Sequence, residues 1–123
     1  MRILEHCFRV YAESGEMEAL IGFYEELQGI QCQRRVKISE TATEAAKIGN
    51  VLIIAGEKRR IDDVRYVDAI FYVDCLEDFE TWLPRHGAEI IHPPGEVTAG
   101  RNLTARHPDG LVVEYFEGAK KSA

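Results

Sequence analysis

Paired cysteines, long apolar runs and an excess of basic residues are all missing from this chain. Its three cysteines, Cys7, Cys32 and Cys75, are odd in number and widely spaced, and none forms a C-x-x-C pair. Neither a disulfide framework nor a structural zinc site is indicated, and a reducing cytoplasm is the expected compartment. No apolar stretch approaches the ~20 residues that span a bilayer. The N-terminus, Met1-Arg2-Ile3-Leu4-Glu5-His6, enters a polar-interrupted strand pattern at once, with no secretory signal. Fifteen Lys and Arg stand against 21 Asp and Glu, a net charge of −6. No segment joins clustered cations to interleaved aromatics, so nucleic acid is not an expected partner. The short basic run Lys58-Arg59-Arg60 reads as a solvated loop. A glycine-rich phosphate loop and a nucleophile–base–acid triad are absent too.

What is present suits one soluble domain. At 123 residues with 46% hydrophobic content, the chain can bury a core without staples. Residues 3–11 alternate as a strand, with Leu4, His6, Phe8 and Val10 on one face and Ile3, Glu5, Cys7, Arg9 and Tyr11 on the other. Ser14 is a candidate cap for a helix whose stripe is Met17, Leu20, Ile21, Tyr24 and Leu27, closed by Gly29. Residues 30–38 read as a strand. Residues 43–48 and 50–56 read as a hairpin, the second arm being the near-continuous apolar run Val51-Leu52-Ile53-Ile54-Ala55. Charge then dominates over 57–65, which reads as a linker.

The second half opens with an apolar strand from Val67 to Val73. Asp74-Cys75-Leu76-Glu77 has the pattern of a capping box, with Asp74 as the cap. Leu76, Phe79, Trp82 and Leu83 make a short amphipathic helix that Pro84 should end or distort. Residues 88–91 read as a strand, His92-Pro93-Pro94-Gly95 as a loop, and 97–106 as a strand with Gly100 as a candidate bulge. The turn His107-Pro108-Asp109-Gly110 leads into the last strand, Leu111 to Glu117, and Ala119 to Ala123 reads as a frayed tail. In that last strand Val112, Glu114 and Phe116 share one face, which puts an acid among apolar neighbours.

The order strand, helix, glycine, strand, strand, strand occurs twice. The expected architecture is α+β: two βαβββ units (about 1–57 and 66–118, joined by a linker at 58–65) whose curved mixed sheets line a shared cleft, with the helices on the outer face. Three segments carry a resemblance to a known family: Phe8-Arg9-Val10 with the helix ending Phe23-Tyr24-Glu25-Glu26-Leu27-Gln28-Gly29-Ile30; Ile70-Phe71-Tyr72-Val73-Asp74 with the helix ending at Gly87; and His107-Pro108-Asp109-Gly110 with Val113-Glu114. Through them the chain resembles the vicinal oxygen chelate superfamily, which contains glyoxalase I, extradiol dioxygenases and bleomycin-resistance proteins.

That resemblance implies a divalent ion on the concave sheet, ligated from the first and last strand of each half by His, Glu or Gln. Transferred by position, the slots fall on Glu5, on Ile53 or Ile54, on Asp68 and on Glu114. Three carboxylates and an aliphatic residue suit a hard ion held loosely rather than a transition metal. A one-residue slip in the first strand would exchange Glu5 for His6, which otherwise packs beneath the first helix. No cofactor is therefore expected, a divalent metal being the alternative. The cleft is expected to be lined by Glu5, Cys7, Arg9, Asp68, Glu114 and Phe116. Arg9 either pairs with Glu5 or meets an anionic ligand; Tyr72 and Phe116 either wall a pocket or pack in the core. His86, His92 and His107 lie near turns and are expected to be exposed. The leading expectation is a small-molecule-binding protein of the glyoxalase and bleomycin-resistance type, paired as a homodimer. Its rivals are a metal-dependent lyase, isomerase or dioxygenase using Glu114 as ligand or base, and a structural interaction module.

Overall fold

The computed structural model describes residues 1–119, so the tail expected beyond Gly118 lies, apart from Ala119, outside the described residues. Eight strands and three helices follow in the order β1 (Ile3–Glu13), α1 (Met17–Gln28), β2 (Arg34–Ile38), β3 (Thr43–Ile48), β4 (Val51–Gly56), α2 (Lys58–Val64), β5 (Ala69–Val73), α3 (Leu76–Arg85), β6 (Glu89–Val97), β7 (Gly100–Arg106) and β8 (Val112–Gly118). The chain divides into two compact units, Cys7–Asp68 and Met1–His6 with Ala69 onward, and β1 begins in the one and ends in the other. The fold is α+β, and the βαβββ order is present twice.

In the Cys7–Asp68 unit the strands lie in the order β2-β3-β4-β1, antiparallel except that β1 and β4 run parallel. Helix α1 covers one face, where Met17 and Ile21 pack with Ala46, Ile48, Val51, Ile53 and Ala55. Ile53 therefore belongs to the helix side and Ile54 to the opposite face. Gly29 ends α1 with φ +68° and donates its N–H to the Glu25 carbonyl, a left-handed cap that glycine adopts without Cβ strain.

The other unit repeats this plan, with strand order β5-β8-β7-β6 and β5 parallel to β8. Helix α3 lays Leu76, Phe79 and Leu83 on Val73, Leu103, Ala105, Val113 and Tyr115. Gly100 is required where β7 meets β8: a Cβ there would collide with the Glu117 carbonyl oxygen and lie 3.0 Å from Phe116 Cζ.

Several local readings are corrected. Ser14 does not cap α1; it opens a short 3-10 turn closed by a reciprocal box between Glu13 and Glu16, in which Glu13 N donates to Glu16 Oε1 at 3.2 Å. The second strand starts at Arg34 rather than residue 30, because Glu25 draws the chain back through Ile30 N to its carbonyl and Cys32 N to its carboxylate. The charged stretch at 58–64 is helix α2, anchored by the buried Ile61 and an i,i+4 pair between Lys58 and Asp62. Residues 92–95 are not a loop but part of β6, which absorbs Pro93 and Pro94 through two irregularities in its ladder with β7. Asp74 does not cap α3. Its carboxylate accepts the Arg2 N–H, while Leu76 N donates across the sheet to Glu117 Oε1 at 2.7 Å. Pro84 sits in the last turn of α3, and the helix ends one residue later.

Candidate functional site

Residues paired in register on neighbouring strands point to the same side of a sheet. In the second unit, α3 claims the side carrying Val113, Tyr115, Leu103 and Ala105. The opposite side is then a grid of two rows. One row runs Ile70, Glu114, Thr104, His92 across β5, β8, β7 and β6. The next runs Tyr72, Phe116, Asn102, Gly95. The β5 side of this grid is apolar and aromatic, with Tyr72 and Phe116 in edge contact at a centroid distance of 5.9 Å. Toward β6 and β7 it is polar.

Glu114 stands where these two regions meet. It is half-buried, and Asn102 Nδ2 donates to its Oε2 at 2.9 Å. Thr104, directly opposite on β7, is 7% exposed, one of the few buried polar side chains. A row further along, Arg106 is paired to Glu89 at 3.1 Å. Phe116, expected in the cleft, is on this face beside Glu114. Glu5 is exposed on the first part of β1.

In the Cys7–Asp68 unit, the side opposite α1 carries Arg9, Leu52, Lys47 and Arg34 in one row and Tyr11, Ile54, Ala45 and Val36 in the next. Arg9 lies over the Tyr11 ring with Cζ 5.4 Å from its centroid, and Tyr11 Oη donates to the Val67 carbonyl at 2.5 Å. Cys7 is buried with Sγ 3.6 Å from the Gly49 carbonyl. Asp68 is exposed, and its backbone carbonyl accepts the Arg9 N–H at 3.0 Å. Strand β4 is Val51-Leu52-Ile53-Ile54-Ala55-Gly56 and offers no metal ligand on either face.

Two histidines depart from expectation. His6 does not pack beneath α1; it is exposed, with its ring 6.0 Å from Phe71. His107 is half-buried, Nε2 lying 2.7 Å from the Tyr115 hydroxyl. Burial pushes the Tyr115 phenol up to about 12.

The carboxylates transferred by resemblance do not complete a transition-metal set. The β4 slot is aliphatic, and one Glu114 oxygen already accepts an amide N–H. Among the described residues a different trio, Cys75, Glu77 and Glu117, brings its ligand atoms within 4.8 Å of one another. These groups are engaged otherwise: Glu77 pairs with Arg101, which with the backbone and Cys75 holds its carboxyl below the usual range, and Glu117 caps α3.

Asn102 and Thr104 were not singled out from sequence. Their signal is the alternation Asn102, Leu103, Thr104, Ala105, which becomes legible only when the α3 side is known to take Leu103 and Ala105.

No family model and no curated protein matches the chain. Among solved structures, an uncharacterized, hypothetical protein from Methanosarcina mazei is 41% identical over 100% of this chain and 98% of its own, with a TM-score of 0.87. Methylmalonyl-CoA epimerase from Mycobacterium tuberculosis is 15% identical over 94% of this chain and 87% of its own, at a TM-score of 0.65. The Streptomyces coelicolor enzyme of that name, in complex with 2-nitronate-propionyl-CoA, is 15% identical over 100% and 98%, at 0.63. The fold is thus of the vicinal oxygen chelate type.

Proposed function

We propose that this chain, which belongs to the same family as the Methanosarcina mazei protein, binds a small organic molecule on the sheet faces that its helices leave uncovered. The observation that carries the reading is the half-buried Glu114, held by Asn102 beside the buried Thr104 on a face that also bears Tyr72 and Phe116. An acid among apolar neighbours costs folding free energy unless it is hydrogen-bonded, and a ligand gives it a purpose. In this reading Glu114 is the central binding group, with Phe116 beside it on the same face of its unit. The protein is of the glyoxalase and bleomycin-resistance type with an incomplete metal set, works in the cytoplasm and pairs as a homodimer. Elemental analysis of protein purified without chelator, together with thermal shifts on adding Zn, Ni, Fe or Mn, tests the metal-poor site. The expected result is no stoichiometric metal, and no metal-induced rise in melting temperature that Glu114→Gln abolishes. Stoichiometric metal lost in that variant overturns it.

An enzymatic reading is favoured by one feature, a carboxylate oriented by a neutral amide. Such a group suits proton abstraction next to a carbonyl, as the name of the epimerases implies for those proteins. Incubation with methylmalonyl-CoA in deuterated water distinguishes the two. Deuterium incorporation that Glu114→Gln abolishes establishes catalysis; none in either protein removes the enzymatic reading for that substrate.

A further inference from the structure

The outer strand of the Cys7–Asp68 unit leaves one side of its backbone open. Strand β2 lies at the end of the strand order, and among the described residues its ladder runs to β3 alone. That ladder pairs five residues in unbroken register, from Arg34 with Lys47 to Ile38 with Thr43. An end strand of this kind presents a row of N–H and C=O groups to which another extended chain can bond. The end strand of the other unit, β6, is shielded: it contains Pro93 and Pro94, and its register with β7 shifts twice. β2 has neither proline nor bulge.

What guards β2 is charge. The chain carries −6 overall, yet Arg34, Arg35 and Lys37 put three cations and no acid into the five residues of this strand. Arg35 is already held by Glu18 at 2.7 Å and Glu44 at 3.1 Å. Arg34 and Lys37 are exposed and have no acidic partner among the described residues. Arg35 pairs in register with Ala46, which packs under α1, so Arg35 and Lys37 lie on the α1 side and Arg34, Val36 and Ile38 on the other. Val36 and Ile38 are half-buried. The open edge thus has a cation without a partner on each side, and an apolar pair beside Arg34.

We propose that the open edge of β2 docks an acidic, extended peptide segment of a partner protein, which joins the sheet as a further strand. A second copy of this chain does not fit. An antiparallel pair of β2 strands centred on Val36 sets Arg35 against Lys37, and β6 brings two prolines that have no N–H to donate. An incoming antiparallel strand meets Ile38, Lys37, Val36, Arg35 and Arg34 in turn. Its complement is apolar, acid, apolar, neutral, acid, the neutral residue standing opposite Arg35 because that guanidinium already has its carboxylates.

The test titrates ¹⁵N-labelled protein with the capped peptide Ser-Val-Glu-Val-Thr-Glu-Ser and with its charge-reversed form, Ser-Val-Lys-Val-Thr-Lys-Ser. The acidic peptide is expected to shift the amides of residues 34–38 saturably and to slow hydrogen exchange at alternate residues of β2, those whose N–H groups face outward. The Lys peptide should bind about tenfold more weakly, as two cross-strand pairs change from attraction to repulsion. Two N-methylated acidic peptides, methylated on alternate residues in opposite phase, separate strand addition from charge attraction alone. The phase whose methyl groups point away from β2 should keep binding, and the other should lose it. Arg34→Glu combined with Lys37→Glu, both at exposed positions, should invert the preference so that the Lys peptide binds better, a gain that misfolding cannot mimic. No shift at residues 34–38, shifts centred on residues 58–60 instead, equal binding of the two N-methylated phases, or an unchanged preference in the double variant each overturns the docking edge. All four leave the small-molecule reading untouched.

Discussion

Tyr115 shows how one side chain can set a pH limit. It is 3% exposed, its ring packs on Phe71 and Phe79, and its hydroxyl lies 2.7 Å from His107 Nε2. Burial raises the phenol to about 12 in the folded chain, against about 10 for an unperturbed tyrosine. Between those values the unfolded chain releases a proton that the folded chain keeps. The stabilising contribution is therefore fully present below pH 10 and is lost as pH rises through about 12. Urea unfolding between pH 8 and 11 should show stability falling above pH 10, and Tyr115→Phe should flatten that fall. At pH 7 the same substitution should cost about 1 kcal/mol, the usual net worth of a hydrogen bond. His107 was expected to be exposed because it precedes a Pro-Asp-Gly turn. Sequence shows the turn but not the hydroxyl on which its ring settles. The same asymmetry holds at the candidate site: Glu114 stood out as an acid in an apolar strand, whereas Asn102 became visible only through the β7–β8 register.

Among the elements, α3 depends on a residue far away in sequence. Its first-turn N–H groups would lack partners, the Cys75 cap makes no side-chain hydrogen bond, and Glu117 of β8 reaches across to Leu76 N. Glu117→Ala should destabilise the protein by about 1 kcal/mol, and Glu117→Gln, which keeps an acceptor oxygen, should recover most of that. Chemical denaturation of the three proteins measures both, and equal losses in the two variants would show the cap to be unimportant. Local patterns alone could not find it. The Asp74-to-Glu77 spacing reads as a capping box, and nothing nearby reveals that Asp74 is drawn instead to Arg2. Elements defined by their own periodicity were read well: helix α1 with its Gly29 cap, though not the burial of Leu27, and the two arms of the Thr43–Gly56 hairpin. Elements whose ends depend on distant contacts were not. Helix α2 was hidden by its charge, although one buried residue, Ile61, suffices to seat it against β4.

At the scale of the molecule the internal repeat was the most legible feature, because two copies of one strand–helix–strand order constrain each other. What neither copy reveals is which surfaces stay wet. The α1 stripe read as core includes Leu27, yet Leu27 is 67% exposed, Phe23 in the same helix is 57% exposed, and Phe8 of β1 is 63% exposed. Phe8 pairs in register with Val51, which packs under α1, so it too points to the α1 side of its sheet. Single exposed apolar residues are ordinary, but three large ones on the same side of one unit match an association surface. The homodimer proposed above would use this side, a second copy then covering Phe8, Phe23 and Leu27. The wild-type chain should sediment as a dimer at about 10 μM, an affinity of roughly −7 kcal/mol or better. Leu27→Glu and Phe23→Glu should each give a monomer with an unchanged circular dichroism spectrum. Because these residues are already exposed in the single chain, the substitutions should cost the monomer little stability, usually within about 0.5 kcal/mol for surface changes. A wild-type monomer at that concentration overturns the dimer. A dimer that survives both charges keeps the homodimer but moves its interface away from α1.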